Sequence, residues 1–197
     1  TNLQLVSLTA LMIRAFAASL GMAFNVDAIA VSFAASNTLA GFVASSEMAS
    51  IALGSLIFAG LAPRMNPRTI YVVGVTAIVT LNLISILMPG VNWLFLCRAP
   101  AGFALGAVVA TTMAIAGRSD KPEMTFGVIN ASVGLMGIVI AYVLPRSLRI
   151  HELGSLPYVG SESDGLYLTY ALMAVCALVG LRTLPVVPPL VAGNLCT

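Results

Sequence analysis

Apolar stretches long enough to cross a lipid bilayer alternate with short polar breaks along the 197 residues. A hydrocarbon core about 30 Å thick takes about 20 helical residues, each rising 1.5 Å. Six stretches meet that length: Leu5–Ala34, Leu39–Leu61, Ile70–Met88, Trp93–Ala116, Met124–Leu144 and Leu166–Leu184. Between them fall Ser36-Asn37, the run from Pro63 to Pro67, Pro89-Gly90, and the run from Ser119 to Pro122, where proline, glycine and asparagine break a helix. Only the connection from Pro145 to Gly165 is long, and it gathers Arg146, Arg149, His151, Glu152, Glu162 and Asp164. The short alternating segments of a β-barrel are missing. The pattern predicts an all-α membrane protein with six transmembrane helices. Residues 1–184 form the transmembrane domain, and 185–197 a cytoplasmic tail or the start of a linker. Trp93 and Tyr71, at span ends, are expected to be interfacial anchors.

Composition strengthens this reading. Hydrophobic residues make up 59% of the chain and charged residues 8%, against roughly a quarter charged in soluble domains. Mean hydropathy is +1.03, so lipid is the expected solvent for most of the surface. A net charge of +2 with no basic run excludes a nucleic-acid footprint. Three cysteines without paired spacing imply neither a disulfide framework nor a metal site. Catalytic triads, nucleotide loops and metal-ligand spacings are lacking. No enzyme, metal or cofactor is therefore expected. Orientation follows from basic residues in the connections. Arg64, Arg68, Arg118, Lys121 and Arg182 fall on one side, and Arg146 and Arg149 on the other. Five against two predicts cytoplasmic N- and C-termini in a cell inner membrane.

Four ionisable groups lie within spans: Arg14, Asp27, Glu47 and Arg98. Each costs at least about 2.5–3.5 kcal/mol at mid-bilayer, so each should be paired or face water. Counting from the span ends puts Asp27, Glu47 and Arg98 at one level, roughly 8–12 Å deep, with Arg14 near the opposite face. Two carboxylates beside one guanidinium would share a proton and form a relay. A static buried salt bridge is the other reading. Asn25, Asn82 and Asn130 are placed to hydrogen-bond across helices, and Asn25, Asn130 and Arg14 are candidates to line a substrate cavity. Small residues recur at helical spacing. Gly127, Asn130, Gly134, Gly137 and Ala141 share one face of the fifth span, and Gly102, Gly106 and Ala110 one face of the fourth. These faces are expected to pack closely, because van der Waals contact drives helix association in lipid.

Two stretches carry a family resemblance. Gly60-Leu61-Ala62-Pro63-Arg64-Met65-Asn66-Pro67-Arg68 is similar to the loop Gly-x-Leu-Ala-Asp-Arg-x-Gly-Arg, keeping the first glycine and last arginine but lacking the aspartate. Arg98-Ala99-Pro100-Ala101-Gly102 is similar to Arg-x-x-Gln-Gly, without the glutamine. With the six-span layout, the chain resembles the N-terminal half of a major facilitator superfamily transporter. That resemblance implies a bundle of 3+3 inverted repeats and secondary transport of a small solute by alternating access, with proton coupling through Arg98 and a nearby acid. It also implies a second six-helix half, as a homodimer or a separate chain. Gly134-Leu135-Met136-Gly137 lacks the proline of drug antiporters, which disfavours multidrug exchange. Some members of the superfamily resemble assembly factors of bacterial photosynthetic complexes. A structural subunit of a larger membrane complex is therefore the alternative expectation.

Overall fold

The computed structural model describes Thr9, Ala10, Met12, Ala17 and residues 20–153 and 160–180. Arg14, Arg182 and the 185–197 tail lie outside the described residues. Six α-helices follow one another: α1 (Met22–Ser32), α2 (Asn37–Leu61), α3 (Pro67–Ile86), α4 (Val91–Ala116), α5 (Pro122–Ser147) and α6 (Glu162–Gly180). Thr9, Ala10, Met12, Ala17 and Leu20, ahead of α1, are helical as well. Short 3-10 turns at Ala62–Arg64 and Ile150–Leu153 follow α2 and α5. Among the described residues, four helices are long and apolar enough to cross a membrane: Asn37–Arg64, Pro67–Ile86, Val91–Ala116 and Pro122–Ser147. The chain is a multi-pass membrane protein.

The helices start where the local chemistry starts them. Ser36 accepts a hydrogen bond from the Leu39 backbone N–H at 3.3 Å, capping α2. Asn66 accepts from Arg68 N–H at 3.0 Å, and Pro67 and Pro122 occupy first-turn positions that need no donor. Several helices run a few residues past the apolar stretches read from sequence. Capped polar ends lie outside the hydrocarbon, so hydropathy does not register them. The described end of the long connection, from Gly160 to Asp164, is held by hydrogen bonds. Asp164 accepts from the Gly160 and Ser161 N–H groups at 3.0 and 2.9 Å, and Ser163 N–H donates to Ser32 Oγ at 2.9 Å. That last bond joins the end of α1 to the start of α6.

Packing is closest between α2 and α4. A Cβ on Gly102 would collide with the Glu47 carbonyl oxygen, one on Gly106 with that of Ile51, and one on Gly54 with that of Phe103. Ser55 Oγ also donates to the Gly106 carbonyl at 3.2 Å. The two backbones thus touch at Gly54, Gly102 and Gly106. The α5 glycines behave differently. Gly127 and Gly134 are exposed, and a Cβ on either would meet nothing within 4 Å among the described residues. Gly137 comes only within ordinary van der Waals range of Leu20. The small-residue face of α5, expected to pack inside the bundle, is turned outward, and Thr125, Ile129, Ile140 and Leu144 face the core instead. The stripe and the apolar face are both compatible with lipid or protein, so spacing alone does not say which one turns inward. We expect Gly106→Val to cost about 1–3 kcal/mol or more through overpacking. Gly134→Ala should leave the isolated chain unchanged. Thermal unfolding of both variants in detergent checks the contrast.

Two large apolar clusters and a small third one, of Ala62, Ile70 and Ala107, fill the interior among the described residues. Tyr71, Val75, Ile78, Leu105, Val108 and Ile115 belong to one, at the end bearing the α2–α3 and α4–α5 connections. Ala28, Ile29, Val43, Leu94, Leu144 and Leu166 belong to the other, toward the opposite end. Tyr71 is not an interfacial anchor: it is buried, with its hydroxyl 3.1 Å from Thr112 Oγ1. Trp93, at the start of α4, is exposed.

Candidate functional site: a charged layer inside the bundle

Between the two clusters, four helices each contribute a polar side chain to one level. On α4, Arg98 lies between Leu94 of one cluster and Leu105 of the other. On α2, Glu47 follows Val43 by one turn. On α3, Asn82 follows Ile78 by one turn. On α6, Tyr167 lies ahead of Ala174. All four are at most 2% exposed.

Arg98 holds the layer together. Its Nε donates to Glu47 Oε2 at 3.1 Å, its Nη2 donates to Glu47 Oε1, and its Nη1 donates to Asn82 Oδ1 at 2.9 Å. Both carboxylate oxygens are therefore engaged in the two-pronged geometry that suits a guanidinium. Asn82 in turn donates from Nδ2 to the Ile78 carbonyl at 2.7 Å, which fixes its oxygen toward Arg98. The Tyr167 ring lies under the guanidinium, 4.8 Å from its carbon to the ring centroid, an attractive cation–π placement. Opposite charges cancel, and four helices are bound through one cation. An arginine does not give up its proton in proteins. With both oxygens of Glu47 held by it, the cluster is built to stay closed.

The other sequence candidates are distributed around this layer. Asn25 is buried on α1 beside Ala28 and Ile29, and its Oδ1 makes no hydrogen bond among the described residues. Asp27 is exposed. It therefore does not complete a carboxylate pair with Glu47, as shared depth suggested. The reason is angular. At 100° per residue, a side chain two positions from Asn25 points to roughly the opposite side of the helix. Asn130 is likewise exposed on α5, on the same outward face as Gly127 and Gly134. Tyr167 was not among the candidates. Its signal was a hydroxyl-bearing ring five residues into α6, roughly 8 Å deep, close to the level reckoned for Arg98.

No protein-family model and no curated protein sequence matches this chain. Solved structures do. One is a crystal structure of the peptide transporter POT, a mutant form in complex with alafosfalin, at a TM-score of 0.67 and 19% identity. Another is the same mutant transporter in complex with sulfate, at 0.66 and 19%. Each match covers 91% of this chain, but only 37% and 36% of the transporter chains. The fold is that of the matched part of those transporter structures. The chain spans little more than a third of the length of those transporters.

Proposed function

We propose that this chain is one six-helix half of a secondary transporter, which binds a small solute against a second six-helix half and exposes it alternately to the two sides. The observation that carries this reading is the exposure of Asp27 and Asn130 in mid-helix. Asp27 lies five residues before the end of α1 and Asn130 eight residues into α5, roughly 8 and 12 Å from those ends. A carboxylate left against acyl chains costs at least about 2.5–3.5 kcal/mol. Both side chains are stable there if water or another protein surface covers them. A solute cavity between two halves supplies that cover, and transporters of this architecture place their sites near the midplane between halves. On this reading Asp27 is the titratable group on the cavity side, and the Arg98 layer keeps the half rigid. Small peptides are the first solutes to test, because the structural neighbours are peptide transporters. Uptake into vesicles containing the chain and its co-purifying partner tests the proposal. No peptide uptake, with loss of a larger complex on deletion of the chain, would favour the structural-subunit reading.

The orientation we propose, with both termini cytoplasmic in the inner membrane, rests on exposed Arg64, Arg68, Arg118 and Lys121 gathered at one end of the bundle. In a cysteine-free background, a cysteine at position 151 should react with an impermeant reagent from outside intact cells. One at position 121 should not. The reverse pattern would invert the topology.

A further inference from the structure

A groove on the outer surface, separate from the charged layer, runs toward the basic end. Phe58 of α2, Ile70, Val73 and Ala77 of α3, and Phe103 and Ala107 of α4 line a cavity of about 220 Å³ with apolar walls. Small residues make it. Gly74 lets α3 approach α4 so closely that a Cβ there would lie 3.0 Å from Val108 Cγ2, and Ala77 and Ala107 put little side-chain volume into the groove. Phe58 and Phe103 meet edge to face with ring centroids 6.0 Å apart and form one wall. From Thr69 to Ala77 the groove follows α3 for roughly 12 Å.

The segment joining α2 to α3, which gives the groove Met65 and Thr69, also carries two arginines. Arg64 ends the 3-10 turn after α2, Arg68 lies in the first turn of α3, and both are exposed. Neither forms an ion pair among the described residues. A second depression, which includes Arg68 and Asn66, shares Thr69 and Val73 with the groove, so the basic and apolar surfaces are continuous. The Asn66 side chain accepts from the Arg68 backbone N–H and fixes this turn.

We infer that this groove binds an anionic phospholipid, with an acyl chain lying on Val73, Ala77 and Phe103 and the phosphate held by Arg64 and Arg68. The groove's lining is apolar, as a hydrocarbon chain requires. The two guanidiniums sit where the apolar span ends, which is headgroup level, and guanidinium matches phosphate with paired N–H donors. Basic pockets between transmembrane helices take such headgroups. A partner helix in the same groove would instead bury two guanidiniums that form no ion pair among the described residues.

The test uses the full chain in nanodiscs of equal phosphatidylglycerol and phosphatidylcholine, with a photoreactive acyl chain on one lipid and then on the other. Cross-linked peptides are mapped by mass spectrometry. Cross-links to the 69–77 and 103–107 segments should favour phosphatidylglycerol by roughly tenfold or more, since each basic residue near the surface contributes roughly fivefold. The exposed double variant R64Q/R68Q should lose this preference but keep the cross-links. Ala77→Phe, which fills the groove, should lose the cross-links with either lipid. Equal labelling by both lipids in the parent, an unchanged preference in R64Q/R68Q, or no lipid cross-links at these segments in the parent would overturn the assignment.

Discussion

Arg98→Leu should destabilise the folded bundle by about 3–5 kcal/mol, as large an effect as any single substitution in this chain is expected to have. The loss comes from what remains behind. Glu47 would be left in an apolar layer without the two donors that its oxygens now meet. Asn82 would lose the partner its amide is oriented to meet, and the Tyr167 ring would lose the cation it covers. Lower folded yield and an earlier unfolding transition in detergent are the readouts. Removing both charges together, as Glu47→Leu with Arg98→Leu, should recover much of the loss, because two apolar groups leave no orphaned ion. The coupling energy from the double-mutant cycle then reports the pair itself. Tyr167→Phe should be nearly neutral, since the ring meets the guanidinium and the hydroxyl makes no hydrogen bond among the described residues. A parent-like Arg98→Leu variant would mean that water or headgroups reach position 98.

How far the sequence could be read depended on which direction along or around a helix was asked about. Position along the axis was legible. The rise per residue is fixed, so counting from a span end put Glu47 and Arg98 at one depth, and the structure bonds them to each other. Position around the axis was not. In a soluble helix the apolar stripe marks the buried face, but here lipid and core are both apolar and the stripe fades. That is why Asp27, at the same reckoned depth, proved to be on the outside of α1, and why the glycine face of α5 points away from the bundle. The α4 glycines are buried against α2 because the Glu47 and Ile51 carbonyls fill the space a side chain would need, a contact that depends on a second helix and cannot be read from one. Tyr167 was passed over for a related reason. Its role is set by a ring face, and an aromatic in an apolar span reads as packing until the cation beneath it is located.

The exposure of Asp27 separates the two acids into different expected phenotypes. Asp27→Asn removes a titratable group from an outward surface where no described neighbour depends on it, so folded yield and unfolding temperature should stay at the parent's values. If the proposed transporter half is driven by protons through this carboxylate, accumulation of solute under an imposed pH gradient should be lost in the same variant. Counterflow exchange without a gradient should continue, because the cavity keeps its shape. Glu47→Gln should do the opposite. The amide presents one oxygen where the carboxylate presented two, and Arg98 becomes an uncompensated buried cation. The expected cost is about 3–5 kcal/mol of stability, seen as reduced folded yield before any transport is measured. Both variants are compared in vesicles containing the chain with its co-purifying partner, and uptake is normalised to folded protein. Gradient-driven uptake that survives in Asp27→Asn would remove Asp27 from the coupling mechanism. A Glu47→Gln protein as stable as the parent would show that the charged layer tolerates a neutral partner and is not the lock its geometry describes.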